Sequence, residues 1–291
     1  MLPMREGVAP SFAWLPHGHW KTLGQYLAVR FTMVPETEWR LRMSRGDVRN
    51  DRGEVLDYDA AYVGGIKIFY YRVRINETPI PFEEVVLYQD DELIVIDKPH
   101  FVPVTPGGKY LHESLLVRLR RKTGLQSISP IHRLDRETAG VILFSVNPAT
   151  RSLWQAMFRF KKVHKVYQAL APLNPDVKLP CTVRSRIVRD DLFFRVKGVA
   201  GEPNAVTHIE LQSHDGHIGR YRLIPETGKM HQLRLHMSML GIPIINDKFY
   251  PTPAPTTLED FSAPLKLCAS AISFIDPVCG VERSFESAHR L

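Results

Sequence analysis

A single carboxylate set among arginines is the feature of this sequence most suited to chemistry. Asp135 lies between Arg133 and Arg136 in the polar segment IHRLDRETAG. The apolar run GVILF from Gly140 to Phe144 follows it and predicts a buried strand, so we expect Asp135 at the edge of a core. Because a nearby positive charge favours the ionised form, this carboxylate would act as a nucleophile or an electrostatic partner rather than as a proton donor.

A simpler interpretation of Asp135 fits the same residues. In it, the carboxylate only pairs with a neighbouring arginine on a solvated turn, as many structural ion pairs do. Taken alone, the segment favours this simpler interpretation, so the choice depends on the rest of the chain.

A second segment, FRFKKVHKVY, combines basic and aromatic residues. Its basic residues are Arg159, Lys161, Lys162, His164 and Lys165. They precede a predicted strand that carries Tyr167. Cations that meet phosphates beside a ring that meets an unstacked base are typical of a nucleic-acid groove.

A third segment, PETGKMHQLRLH, predicts a turn at Gly228 that leads into a helix carrying His231, Gln232 and Arg234. Helix N-terminal amides and a nearby arginine can hold an anion, either a phosphate or the carboxylate of Asp135. A structural alternative remains open here, in which Arg234 is an ordinary surface residue.

The sequence gives little support for a metal site. The 12 histidines include His214 and His217, but His231 and His236 lack the one-turn spacing of a metallohydrolase pair. The three cysteines form no CxxC pair, which predicts neither a disulfide framework nor a sulfur-bound zinc. The glycine pair in TPGGK, Thr105 to Lys109, lacks phosphate-loop spacing and predicts a turn.

Composition indicates a soluble, basic, enzyme-sized protein. The 291 residues are 44% hydrophobic and 24% charged, which is ordinary for a globular chain. A net charge of +7 favours an anionic partner such as nucleic acid, although a merely basic protein would carry the same charge. No apolar run approaches the roughly 18 residues of a membrane span, and no signal sequence opens the chain, so we expect a cytoplasmic protein without membrane contact.

The first part of the chain, from about Trp20 to Arg74, predicts a small α+β unit. An amphipathic stretch from Leu23 to Phe31 predicts a helix, whereas the spacing of two among Trp39, Leu41 and Met43 favours a short strand. Four arginines could form a basic face, although an ordinary solvated surface would look the same: Arg40, Arg42, Arg45 and Arg49. Pro79 and Pro81 mark the boundary, which predicts domains at residues 1–78 and 79–291.

The second part predicts strands and helices without regular βαβ alternation, which indicates an α+β fold. The segment EEVVLYQDDELIVIDKP predicts a hairpin that ends at Pro99. Hydrophobic periodicity predicts three helices, from His112 to Lys122, from about Ala149 to Lys161, and from His231 to Leu240.

Four ordered segments resemble the motifs of the RluA-type pseudouridine synthases. HRLDRETAG resembles the catalytic motif HRLDxxTSG, and DKPHFVPVTP resembles the segment before it. HKVYQALA and TGKMHQLRLHMSMLGIPIINDKFY resemble the family's KxY strand and its TGRxHQxRxH block with the following GxPIxGDxxY. The resemblance spans about Val85 to Leu291, and it reverses the preference for a purely structural Asp135.

The resemblance implies isomerisation of a uridine within RNA, in which the N-glycosidic bond breaks, the uracil turns, and its C5 bonds to the ribose. Asp135 is similar in position to the aspartate that attacks the nucleotide, at the ribose or at the base. Tyr167 matches the tyrosine that packs on the target base, and Arg234 matches the basic residue that pairs with the aspartate. No cofactor is implied, and the partner would be RNA, either ribosomal or transfer RNA.

Other positions of these motifs imply a surrounding pocket. The residues expected to shape it or to bind substrate are His132, Arg133, Arg136, Thr138, Lys165, Lys229, His231 and Gln232. The chain departs from the family pattern beside these positions, with Ala139 for the common Ser, Lys229 for Arg and Asn246 for Gly. Lys229 lacks the forked geometry of arginine, which would alter a phosphate contact.

The leading hypothesis is therefore an RNA pseudouridine synthase. Its expected fold is α+β, with a mixed, largely antiparallel central sheet, flanking helices and a catalytic cleft, preceded by a small α+β unit that loosely resembles an RNA-binding domain. An inactive RNA-binding or assembly protein on the same fold is the alternative. A nucleoside or glycoside hydrolase would need a pair of carboxylates, for which Glu137 is the near partner of Asp135.

Overall fold

The computed structural model describes residues 3–72, 77–254 and 260–291 of the chain. They separate into two compact units, one with residues up to 77 together with 108–112, and one with residues 78–107 and 113–291. The predicted assignment of these units to RNA binding and to catalysis stays a prediction. No helix in the described ranges is long and apolar enough to cross a membrane.

The described residues of the first unit form a three-stranded antiparallel sheet packed against two helices. Its strands are β1 (Ser11–Trp14), β2 (Val48–Asn50) and β3 (Lys67–Tyr70), and its helices are α1 (Leu23–Arg30) and α2 (Glu36–Ser44). Strand β3 lies between β1 and β2. The predicted helix α1 is confirmed, and Thr22 caps it by accepting a hydrogen bond from the Gln25 amide.

The strand predicted around Trp39, Leu41 and Met43 is wrong, because these residues lie in α2. Trp39 and Met43 are buried and stand four residues apart on one helix face, while Leu41 is 43% exposed on another face. The spacing of two apolar residues arose because Leu41, which faces solvent, lies between the two buried residues.

The predicted basic face is largely engaged within the unit. Arg40 pairs with Glu36 and Asp59, and Arg42 pairs with Glu38. Arg49 donates hydrogen bonds to the carbonyls of Gly46 and Gly53. Arg40 and Arg42 are thus paired with carboxylates, whereas Arg49 stabilises local structure and keeps its charge.

The described residues of the second unit form an eleven-stranded sheet with three helices. Its strands are β4 (Val85–Gln89), β5 (Leu93–Lys98), β6 (Ser129–Pro130), β7 (Ala139–Ser145), β8 (Val163–Pro172), β9 (Cys181–Arg189), β10 (Val196–Val199), β11 (Ala205–His214), β12 (Ile218–Pro225), β13 (Leu267–Ile275) and β14 (Glu282–Glu286). The helices are α3 (Leu115–Thr123), α4 (Arg151–Arg159) and α5 (Gln232–Met239). The main path runs β10-β9-β11-β12-β8-β13-β7-β5-β4, with β14 on β13 and β6 on β7.

The predicted α+β fold with a mixed, largely antiparallel sheet is confirmed. Strand β13 runs parallel to β7 and antiparallel to β8, so it joins two antiparallel halves of the sheet. The predicted hairpin is β4–β5, in which Val85 pairs with Asp97. The three predicted helices exist, each one to three residues shorter at its start, and α3 ends at Gly124 in the left-handed conformation.

Two apolar clusters position the strands that carry the candidate site. Ala169, Tyr221 and Leu223 pack with Leu233 and Met237 of α5 on one part of the sheet. On another part, the cluster contains Leu93, Val141, Leu143, Trp154 and Ile272. Packed side chains therefore fix strands β7, β8 and β13, which adjoin the polar segments of the candidate site.

Candidate active site

The segment between β6 and β7 presents Asp135 just before β7, a strand that lies between β13 and β5 within the sheet. The carbonyl of Asp135 accepts a hydrogen bond from the Thr138 amide (3.1 Å), which closes a tight turn, and Thr138 is buried. Strand β7 then enters the core, with every residue from Ala139 to Ser145 buried. The Asp135 side chain keeps 29% of its surface exposed, so the carboxylate is accessible to a ligand.

The buried side chain of Lys98 stabilises the Asp135 segment through hydrogen bonds. This role was not predicted from the sequence. Its ammonium group is fully buried at the end of β5 and donates to the carbonyls of Pro99 (2.9 Å), Val102 (2.8 Å) and Arg136 (3.1 Å). Burial lowers the pKa of Lys98 to about 7, against the opposing charges of Glu137 and Asp135. The charged pair Asp97–Lys98 directly after the apolar run LIVI was the available signal.

The cationic partner of Asp135 comes from α5. Arg234 Nη1 lies 3.8 Å from Asp135 Oδ2, and the Arg234 side chain is only 1% exposed. Its Nε and Nη2 donate to the two carboxylate oxygens of buried Asp247, at 2.8 and 2.6 Å. The forked pair fixes the guanidinium plane and leaves Nη1 buried without a hydrogen-bond partner among the described residues, directed towards Asp135.

Asp247 is a second residue that the sequence interpretation did not single out. Its carboxylate also accepts hydrogen bonds from the amides of Phe249 (2.8 Å) and Tyr250 (3.2 Å). Its position in the GxPIxGDxxY pattern was the sequence feature that could have identified it. Its role depends on contact with Arg234, which lies 13 residues earlier.

The arginines beside Asp135 in sequence are not its ion-pair partners, which corrects the first expectation. Among the described residues, the ion pairs of Asp135 within 4 Å are with Arg234 and His231. Arg136 instead pairs with Glu137 at 3.7 Å and donates from Nε to the carbonyl of Phe101. Sequence neighbours in an extended loop point in different directions, whereas α5 projects Arg234 into the same space.

Asp135 opens into a cavity of about 850 Å³. Its walls include the basic segment after α4, the Asp135 loop and the turn before α5. The predicted site residues that line it are His132, Arg133, Asp135, Arg136, Lys165, Tyr167 and Lys229. A smaller adjoining recess of about 100 Å³ is lined by Asp135, Tyr167 and Arg234, together with Thr138, His231 and Gln232.

Tyr167 lies on β8, where it pairs with Leu223 of β12 and packs against the apolar cluster beneath the recess. Burial raises the pKa of Tyr167 above its usual range, and the negative charge of Asp135 raises it further. The phenol is therefore uncharged near neutral pH, which suits a ring that packs on an apolar base face and offers a hydroxyl group.

His132 and Lys165 also line the cavity. The His132 ring stacks on Phe158 with centroids 4.4 Å apart, and its Nε2 accepts a hydrogen bond from the Leu143 amide. Burial, with a smaller contribution from Lys165, lowers the pKa of His132 to about 3, so the ring is neutral. Lys165 donates to the carbonyl of Thr227 at 3.3 Å, which links β8 to that turn.

His231 and Gln232 position the start of α5. His231 has φ 51° and stacks on Phe249, while its Nε2 lies 3.8 Å from Asp135 Oδ2. Burial lowers the pKa of His231, against the opposing charge of Asp135. The Gln232 side chain donates to Val206 and Thr207, so its amide nitrogen is used within the protein.

The departures from the family pattern are accommodated locally. Asn246 has φ 63°, in the left-handed region that asparagine tolerates better than most residues, which explains how it replaces glycine. Ala139 is buried at the start of β7, and Lys229 is exposed at the cavity wall. Within residues 3–72, 77–254 and 260–291, no three His, Cys, Asp or Glu side chains converge as metal ligands.

Comparison with known proteins agrees with this geometry. A family model described as RNA pseudouridylate synthase matches residues 92–239. The chain belongs to that family. It is 34% identical to the dual-specificity RNA pseudouridine synthase RluA of Pasteurella multocida (strain Pm70), over 71% of this chain and 93% of that protein. The RluA of Haemophilus influenzae (strain ATCC 51907 / DSM 11121 / KW20 / Rd) is 35% identical, over 74% of this chain and 97% of that protein.

A solved structure adds a fold comparison. Human RNA pseudouridylate synthase domain containing 4 matches 69% of this chain and 87% of that chain, with a TM-score of 0.53 and 27% identity. The resemblance to the RluA-type synthases is thus confirmed, and the enzyme is an isomerase that modifies RNA.

Proposed function

We propose that this enzyme isomerises specific uridines in structured RNA to pseudouridine, with Asp135 as the nucleophile on a uridine that has left its stack. One observation carries the proposal. The Asp135 carboxylate lies 3.8 Å from Nη1 of a buried, oriented Arg234, at a recess that Tyr167 also lines. Charge, nucleophile and aromatic wall are in one place, as attack on a base or its ribose requires.

The surrounding cavity supports entry of a flipped nucleotide. Its volume of about 850 Å³ is ample for one nucleotide, and its basic wall residues suit the phosphates on either side. Flipping a base costs a few kcal/mol, which stacking on Tyr167 and contacts with cations would offset. Glu137 pairs with Arg136 and is not among the lining residues, which disfavours a two-carboxylate hydrolase.

We further propose that the substrate is ribosomal or transfer RNA and that the enzyme works in the cytoplasm. The net charge of +7 supports a large polyanionic substrate. The relatives named dual-specificity RNA pseudouridine synthase make more than one RNA target a reasonable expectation for this enzyme as well.

Substitution of Asp135 tests the function. We expect Asp135→Asn to abolish uridine conversion while RNA affinity and thermal unfolding stay close to wild type, because the amide keeps the shape and loses the charge. Conversion is measured by mass spectrometry of nuclease-digested RNA after carbodiimide labelling. Asp191→Asn is the matched control, since Asp191 is exposed and pairs only with Lys197 in the described structure.

Two results would decide against the proposal. Full turnover by Asp135→Asn would remove Asp135 from its role. No gain of pseudouridine after incubation of wild type with total RNA from cells that lack the gene would favour the inactive RNA-binding protein. A pseudouridine site lost in such cells and restored by the purified enzyme would identify the target.

A further inference from the structure

One face of the sheet in the first unit carries aromatic rings and cations. Phe12 of β1 pairs with Phe69 of β3, which pairs with Arg49 of β2, and Trp14 pairs with Lys67. Residues that pair across antiparallel strands share a face, and alternate residues face opposite sides. These five side chains, named here the aromatic face, therefore lie on one side of the sheet.

The aromatic face is the solvent side of the sheet. The intervening row contains Ala13 and Ile68, which pack into the core of the unit, where Ile68 is fully buried. Phe12 and Trp14 are 56% and 62% exposed. Large exposed rings on adjacent positions of an ordered sheet are uncommon unless they contact a partner.

Lys67 gives this surface its charge. Its Nζ lies 3.9 Å from the ring centroid of Phe12, 4.9 Å from that of Phe69 and 5.8 Å from that of Trp14. The five side chains of the aromatic face include two cations and no carboxylate. A surface of flat rings around a cation complements a flat, negatively charged ligand.

We propose that the aromatic face binds unpaired nucleotides of the RNA substrate, with bases stacked on Phe12 and Trp14 and a phosphate beside Lys67. The proposal rests on the proposed function for the presence of RNA and adds a second binding surface outside the Asp135 cavity. Only bases released from a duplex expose a face to such rings, so the surface selects single-stranded segments.

The fluorescence of Trp14 can report RNA binding to the aromatic face. It is the most exposed of the four tryptophans, while Trp39 and Trp154 are fully buried. We titrate the full chain with a single-stranded oligocytidylate of 12 residues, which contains no uridine for the active site. We expect quenching of tryptophan emission with saturation, and no quenching by a blunt RNA duplex of equal length.

Ring removal should weaken this binding. Phe12→Leu with Trp14→Leu should raise the Kd for the oligocytidylate, measured by anisotropy, about tenfold or more, because base stacking on each ring is lost. Lys67→Gln should reduce the slope of log Kd against log salt by about 0.7, the value for one phosphate contact on a single strand. Phe193→Leu is the matched control, since Phe193 is 89% exposed in the other unit.

Failure of this inference is distinguishable from failure of the proposed function. If wild type converts uridine but its tryptophan emission does not respond to the single strand, only the aromatic face is excluded. Equal quenching by the duplex would overturn the selection for unpaired nucleotides. Concentration-dependent dimerisation in sedimentation, abolished by the double substitution, would assign the face to a second copy of the chain and overturn RNA binding there.

Discussion

Arg234 lies between two carboxylates and makes a different contact with each. Asp247 takes a forked pair of hydrogen bonds, whereas Asp135 lies 3.8 Å from the remaining nitrogen. A buried ion pair contributes little net stability, because desolvation of both charges offsets their attraction. We infer that Asp247 acts by orienting Arg234, so that its free N–H group points to the place where charge changes during the reaction.

Removal of Asp247 should therefore affect both stability and turnover. Asp247→Ala removes both hydrogen bonds from the buried Arg234 guanidinium to a carboxylate and leaves Asp135, at 3.8 Å, as its partner, so we expect the free energy of unfolding in urea to fall by about 3 to 5 kcal/mol. Asp191→Ala, at an exposed ion pair, should leave it nearly unchanged. A stability of the Asp247 variant equal to wild type would show that solvent reaches the guanidinium and satisfies it.

Lys98 predicts a pH dependence of stability. Its pKa is lowered to about 7 in the folded chain and returns to its ordinary value near 10.5 on unfolding. Between these values the unfolded chain binds the extra proton, so raising the pH favours the folded state by up to about 1.4 kcal/mol per pH unit. The free energy of unfolding of wild type, relative to that of Lys98→Met, should then rise from pH 7 to pH 9.

Urea unfolding at the two pH values measures this effect. Lys162→Met is the control, because Lys162 is exposed, and its difference from wild type should stay constant. A constant difference for Lys98→Met as well would mean that the buried ammonium stays charged throughout, held by its three carbonyl partners.

At the residue scale, Asp135, Tyr167 and Arg234 were predictable, whereas the residues that position them were not. A charged residue at the start of an apolar run is visible in the sequence, and the ordered motifs point to Tyr167 and Arg234. Arg133 and Arg136 were assigned to Asp135 because they are close to it in sequence. Closeness in sequence did not make them its ion-pair partners in the structure. Lys98 and Asp247 depend on partners that lie 38 and 13 residues away, which a local pattern does not reveal.

At the scale of elements, the junction of β7 and β13 holds the Asp135 segment in place. Gly140 has φ 112°, and a Cβ there would overlap the Ala269 carbonyl of β13. This close approach allows the parallel pairing of Ala139 with Cys268 and of Gly140 with Ala269. Glycine is required here both for the backbone conformation and for the space.

Gly140→Ala should therefore be more damaging than an ordinary substitution of a left-handed glycine. Gly124→Ala, where nothing lies near the added Cβ, should cost about 1 to 2 kcal/mol from backbone strain. Gly140→Ala should cost more than this and should also lower turnover, as measured by urea unfolding and by pseudouridine yield. Equal losses for both variants would mean that β13 shifts to accept the methyl group.

Elements with an uninterrupted apolar stripe were the predictable ones. Helix α4 buries Trp154 and Met157 on one face, and the hairpin β4–β5 has two apolar runs around a polar turn. Helix α2 was predicted wrongly because only two of its nine residues are buried and Leu41 between them is exposed. Its ion pairs with four-residue spacing, Arg40 with Glu36 and Arg42 with Glu38, were the signal for a helix.

At the scale of the whole molecule, excess positive charge should make RNA binding sensitive to salt. Lys161 and Lys162 are exposed after α4, and Lys161 lines the cavity. Replacing both with glutamine should reduce the slope of log Kd against log salt by about 1 to 2, since each phosphate contact contributes about 0.7 to 0.9. Filter binding across a potassium chloride series measures the slope.

The control for this prediction is Lys197→Gln, which removes a cation already paired with Asp191. Its slope should match wild type. A slope unchanged in the double variant would exclude these lysines from the path of the RNA backbone and would place that path along another wall of the cavity.

The strand order of the second unit was beyond sequence reasoning. Composition and periodicity predict an α+β fold, but they do not reveal that β13 enters between β7 and β8. That placement depends on pairings between residues about 100 or more positions apart, such as Cys268 with Gln168. The family resemblance supplied the architecture that local patterns lacked.

The position of β13 also sets when a newly made chain gains its function. Asp135, Tyr167, Arg234 and Asp247 all precede Leu267, yet among the described strands β7 and β8 are joined through β13. During translation, a growing polypeptide already contains every one of these side chains before the strand that brings them together has left the ribosome. The described site residues can therefore be brought together only after β13 has been synthesised.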